Sequence, residues 1–134
     1  MKKTVFLLWI AAALLMLSGC RMIRIEEAER TPLDYTVVDG SQIPEEAVSL
    51  IEEKKAAEFQ LTYQSGEDMY LIKGYGRQMS GGYSIQVTDL SMSSTAVFFE
   101  TKLIGPSADD QNGEPSYPYI VVKTQYREEP VQFQ

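Results

Sequence analysis

Two lysines follow Met1, and then an unbroken apolar run extends from Thr4 to Leu17. Fourteen residues fall short of the ~20 that a spanning helix needs, and fit the h-region of a secretory signal. Beyond residue 33 the pattern changes. Asp34–Val38 reads as a short strand, broken by Asp39-Gly40-Ser41. A helix is expected near residues 44–57: Pro44 suits its first position, and Glu45 and Glu46 suit its dipole. Ala47, Leu50, Ile51 and Ala57 have helical spacing and are expected in the core, with Glu52, Glu53, Lys54 and Lys55 on the wet side.

From Phe59 onward the period is two. Gln60–Gln64 alternates around Leu61 and Tyr63, Ser65–Asp68 turns, and Met69–Lys73 is strand-like. A glycine-rich connection from Gly74 to Gly82 follows. Tyr83, Ile85 and Val87 alternate with Ser84, Gln86 and Thr88, the signature of a half-buried strand. Ala96–Leu103 and Tyr119–Gln125 are further strands, separated by a polar loop over 105–118. These elements predict an α+β domain, mainly an antiparallel sheet of about six strands, arranged as a sandwich or a partly open barrel with one helix.

Leu17-Ser18-Gly19-Cys20 closes the apolar run and resembles the lipobox of bacterial lipoproteins. In that family the Cys sulfur takes a diacylglyceryl group and a signal peptidase cuts just before it. The resemblance implies a signal peptide at 1–19, lipidation of Cys20, a lipidated tether at 20–33 and a globular domain at 34–134. It places the protein on the bacterial cell membrane, lipid-anchored, with its domain on the extracytoplasmic side. Two acyl chains hold a protein stably where one is marginal.

Composition narrows the function. The 134 residues carry a formal net charge of −7, and loss of Lys2 and Lys3 makes it −9. So acidic a domain does not suit nucleic acid, which needs a basic face. There is one cysteine and no histidine. The commonest general base is absent, and no spacing suggests a metal or cofactor site or catalytic residues, so a non-enzyme is expected. Gly74-Tyr75-Gly76 lacks the third glycine of a dinucleotide loop, because residue 79 is Met. The Asp109–Glu114 stretch misaligns with a calcium loop: Ala108 and Tyr119 fall on its first and last ligand positions.

Tyrosines beside glycine and proline remain as candidate binding anchors: Tyr75, Tyr83, Tyr117 and Tyr119. Gly81-Gly82-Tyr83-Ser84-Ile85 and Pro115-Ser116-Tyr117-Pro118-Tyr119-Ile120-Val121-Val122 together resemble the C-terminal domain of PrcB, over roughly Met69–Thr124. Members of that family commonly have Pro-Thr where this chain has Met79-Ser80. The resemblance implies a non-catalytic lipoprotein subunit that stabilises or assembles a secreted protease complex. Gly81, Gly82, Tyr83, Tyr75, Pro115, Tyr117, Pro118 and Tyr119 are then the candidate contacts with a protein partner. A slighter likeness of Gln78–Ser84 to the Gly-Tyr loop of chagasin-like cysteine-protease inhibitors offers an alternative, a loop-based inhibitor. An envelope ligand-binding module using the tyrosines is a third reading.

Overall fold

The computed structural model describes residues 29–134. The lipobox and Cys20 lie outside the described residues.

The tetrad Met69-Tyr70-Leu71-Ile72 is the centre of the fold. All four residues are buried, and alternate side chains of a strand leave by opposite faces. A strand with both faces dry needs a cover on each side. Here one cover is a helix and the other is a second sheet.

Strands β1 (Thr31–Pro32), β2 (Tyr35–Val38), β3 (Glu58–Ser65) and β4 (Asp68–Tyr75) precede β5 (Ser84–Met92), β6 (Val97–Ile104), β7 (Tyr119–Gln125) and β8 (Val131–Phe133). Helix α1 (Glu45–Lys54) lies between β2 and β3. One sheet has the order β2-β7-β4-β3, and the other β1-β5-β6-β8. All neighbours are antiparallel except β6 and β8. The arrangement is a sandwich of two open sheets with the helix on the outer face of the first.

On the helix side, Val38, Ile43, Ala47, Ile51, Tyr70, Ile72 and Val121 form one core, flanked by Phe59, Leu61 and Tyr63. Between the sheets, Met69, Leu71, Leu90, Val97, Phe99, Ile120 and Val122 form the other. Phe133 of β8 closes that core edge-on against Phe99, with centroids 5.8 Å apart. Tyr63 also ties α1 to the sheet, donating its hydroxyl proton to Glu46 at 2.7 Å.

A β-bulge maintains the second core. Val87 faces Thr101 and Asp89 faces Glu100, so Thr88 is an extra residue on β5. The bulge shifts the inward phase by one, from Ile85 and Val87 to Leu90 and Met92, and all four pack against the same core. Gly74 serves the first core by having no side chain. It faces Phe59 across β3 and β4, and a Cβ there would lie inside the ring of Phe59.

Several sequence expectations shift. Helix α1 ends at Lys54, so Ala57 lies beyond it and is exposed, while Leu50 is only half-buried at the helix flank. Gly74 and Tyr75 belong to β4 rather than to the connection after it, because Tyr119 and Phe59 flank Gly74 in the sheet. Thr31 and Pro32, read as the end of a tether, form β1 against β5, and Leu33 packs into the core between the sheets. β8 was not foreseen: three residues after Pro130 carry too short a pattern to read.

Because the two cores share β4 and β7, damage to either should unfold the whole domain. Ile51→Ala on the helix side is expected to cost about 2–5 kcal/mol and Phe99→Ala between the sheets about 3–5 kcal/mol. Both variants should unfold in urea in one transition seen alike by far-UV circular dichroism and tyrosine fluorescence. A separate early transition in either would show that the cores are independent.

Candidate functional site

Most of the candidate residues belong to the connections after β4 (residues 76–83) and after β6 (residues 105–118); Tyr75 ends β4 and Tyr119 opens β7. The sequences of the connections are polar and rich in glycine and proline, so they cannot satisfy their backbone within a sheet. They satisfy it on each other. Gln78 and Ser116 exchange backbone hydrogen bonds at 2.8 and 3.0 Å in an isolated antiparallel bridge. The Ser116 hydroxyl donates to the Ser80 carbonyl at 2.6 Å.

Asn112 is the second pin. Its side-chain oxygen accepts the Gly81 N–H at 3.0 Å and the Glu114 N–H at 3.0 Å. Its own N–H donates to the buried Ser80 hydroxyl at 3.1 Å. Gly81 lies close to the Asn112 amide, where a Cβ would come within 3.0 Å of the nitrogen. Gly82 turns the chain into β5 with φ +84°, and a Cβ there would come within 2.9 Å of Pro106. The left-handed conformation and the proline together demand glycine.

The tyrosines divide between two faces. Tyr75 is half-buried on the inter-sheet side. Its hydroxyl pairs with Thr101 Oγ1 at 2.6 Å, and Lys73 Nζ lies 5.3 Å from its ring centroid. Lys73 is itself paired with Glu58 at 2.8 Å, and the hydrogen bond from Lys73 holds the Glu58 carboxyl below its ordinary pKa. Tyr83 is half-buried with its ring edge 3.5 Å from where a Cβ of Gly105 would lie. Its hydroxyl makes no hydrogen bond among the described residues.

Tyr117 and Tyr119 remain 37% and 40% exposed. Tyr119 follows the face of Val121, toward the helix. Lys55, just past α1, places its Nζ 5.7 Å from the Tyr117 centroid. That ammonium also pairs with Glu52 at 2.7 Å, and the hydrogen bond from Lys55 to Glu52 raises its pKa. Pro115 is exposed, while Pro118 uses its carbonyl to accept the Tyr75 N–H at 3.0 Å.

The structure therefore brings the two candidate loops together but does not gather their tyrosines into one patch. Sequence reading named the glycines and missed the pins: Gln78, Ser80, Asn112 and Ser116. The one available signal was Asn112-Gly113, which reads only as a turn. Chemically the site offers a rigid, hydrogen-bonded loop pair with two exposed aromatic rings beside a lysine. Among the described residues, no group of His, Cys, Asp and Glu could hold a metal ion.

Residues 69–125 match the family model described as PrcB C-terminal. The match runs from β4 through β7, contains both loops, and is the family and segment that the two sequence motifs identify. No curated protein and no solved structure matches the chain.

Substituting Gly82 by Val should cost about 1–3 kcal/mol, because a β-branched residue is strained at this φ. Thermal melts check it, and a wild-type melt would remove Gly82 from the loop's framework. The two tyrosines give a sharper contrast. Tyr75→Phe should lose about 1 kcal/mol with its bond to Thr101, whereas Tyr83→Phe should melt like the wild type.

Proposed function

We propose that the chain is a PrcB-like accessory subunit: a lipid-anchored, non-catalytic lipoprotein that stabilises or assembles a secreted protease complex. The observation that carries this reading is the PrcB C-terminal match over β4–β7. Support also comes from the chain's chemistry. It has no histidine, and its apolar leader ends in Leu17-Ser18-Gly19-Cys20. The loop pair suits a docking surface, because fixed loops lose little conformational freedom on binding. Exposed Tyr117 and Tyr119 add large, rigid contact area.

The loop-inhibitor reading fits less well. An inhibitory loop projects its anchor into a cleft, yet Tyr83 is half-buried against Gly105 and Gly81 is tied to Asn112. The envelope-ligand reading needs a pocket lined by the tyrosines, and these divide between two faces.

In a bacterial host, the tagged full chain should incorporate labelled palmitate and fractionate with membranes, and Cys20→Ser should abolish the labelling. Affinity capture from detergent-solubilised membranes should recover a protease that is degraded faster when this chain is deleted. Capture of no specific protein across growth conditions, or unchanged protease lifetime in the deletion strain, would refute the accessory role.

A further inference from the structure

Both sheets end in edge strands, and the four edges differ. β1 is two residues long and contains Pro32, and β8 is three residues long and follows Pro130. β3 presents Glu58, Gln60, Thr62 and Gln64 as its exposed side chains. These are ordinary protections against unwanted pairing. β2 has none of them. Its sequence is Tyr35-Thr36-Val37-Val38, without charge, proline or bulge, and Tyr35 and Val37 are 42% and 54% exposed.

The register fixes which of its backbone groups find no partner among the described residues. In an antiparallel ladder the N–H and C=O of one residue point to the same side and alternate along the strand. Tyr126 N–H donates to Glu67, and Tyr75 N–H donates to Pro118, so the even-numbered residues of β7 point toward β4. Its odd-numbered residues point toward β2, where Val121 faces Val38 and Lys123 faces Thr36. Thr36 and Val38 therefore spend their backbone groups on β7. The N–H and C=O groups of Tyr35 and Val37 point outward. At the C-terminal end of β2, strand β7 continues past it through Ile120 and Tyr119. The step leaves a groove of about 230 Å³, lined by apolar residues such as Val37, Ile43 and Tyr119 and by the acidic Asp39.

We propose that the β2 edge is a strand-addition site for an extended segment of a partner protein, with alternating β-branched side chains and a basic residue at each end. The proposal rests on the accessory-subunit reading and names the surface that would engage the partner. An added strand bonds the outward groups of Tyr35 and Val37, lays its side chains beside theirs, and places a terminal side chain in the groove. Charge sets the ends. Exposed Asp34 and Asp39 bracket β2, on a chain of formal charge −7. A second copy is the poorer occupant. It would set Asp34 and Asp39 of one copy against the same acidic residues of the other.

The test uses the full chain in detergent and a labelled, end-capped peptide, Lys-Val-Thr-Val-Thr-Val-Lys, followed by fluorescence anisotropy. Saturable binding is expected, weakening with salt. Replacing the terminal lysines by glutamates should weaken it about tenfold. Methylating alternate peptide nitrogens should weaken it at least about tenfold in one of the two registers, with side chains unchanged. Val37→Pro removes an outward N–H rather than a ladder bond, so the variant should fold and lose peptide binding. If that variant does not fold, the methylated peptides on the wild type decide alone. The proposal is overturned if no saturable binding occurs, if both methylated peptides bind as well as the parent, or if folded Val37→Pro retains binding. It is equally overturned if the chain dimerises through β2 and the peptide does not compete. Capturing the same membrane partner with Val37→Pro as with wild type would reject this edge while leaving the accessory role intact. Capturing none with the wild type would reject that role itself.

Discussion

Everything in this domain hangs on β4 and β7 being dry on both faces. Side chains of Met69–Ile72 and Ile120–Val122 leave alternately for the helix-side core and the inter-sheet core. Neither core is large, and each uses the same two strands as a wall. The hydrophobic gain per residue in that wall is therefore close to the maximum a strand can provide, with about 25 cal/mol recovered per Å² of apolar surface on either side. Strands β5 and β6 of the second sheet need only one apolar face, and Gln86, Glu100 and Lys102 are exposed on the other.

This division of labour explains where the candidate site lies. The ends of β4 and β7 meet at Gly74 and Tyr119, and the loops that follow or precede them must leave the most rigid part of the sheet together. Their polar groups then close on one another through Ser80, Asn112 and Ser116. Loop order is inherited from the central strands, and the pins convert proximity into a fixed shape.

Much of this was legible from residue patterns, because the strongest signals are local. The alternation of Tyr83, Ile85 and Val87 identified β5, and Glu45, Glu46, Ala47 and Ile51 identified α1. The limits are equally physical. Asp89 falls on an expected inward position of β5 and looks like the end of a strand, although the bulge at Thr88 restores the inward face at Leu90. Thr31-Pro32 and Val131–Phe133 are strands only because β5 and β6 offer partners; alone they carry no pattern. Ala57 has helical spacing without a helix to hold it. In the site, Gly82 declared itself, since its neighbours require a turn. Asn112 did not, because its partner Gly81 lies 31 positions away and nothing local marks the pair.

The pairing of β2 with β7 has a consequence for how the chain acquires its fold. Tyr35 must find Thr124, and Val38 must find Val121. The earliest strand of the first sheet and the last are neighbours, so this ladder is among the most non-local contacts in the domain. High contact order slows folding, since a long loop must close before any of its bonds form. A ribosome delivers the chain from its N-terminus, so β2, α1, β3 and β4 emerge before β7 exists. Until then β4 has one neighbour instead of two, and its apolar tetrad is bare along one edge. The domain thus has a long adolescence, in which it is complete enough to be sticky and not complete enough to be stable.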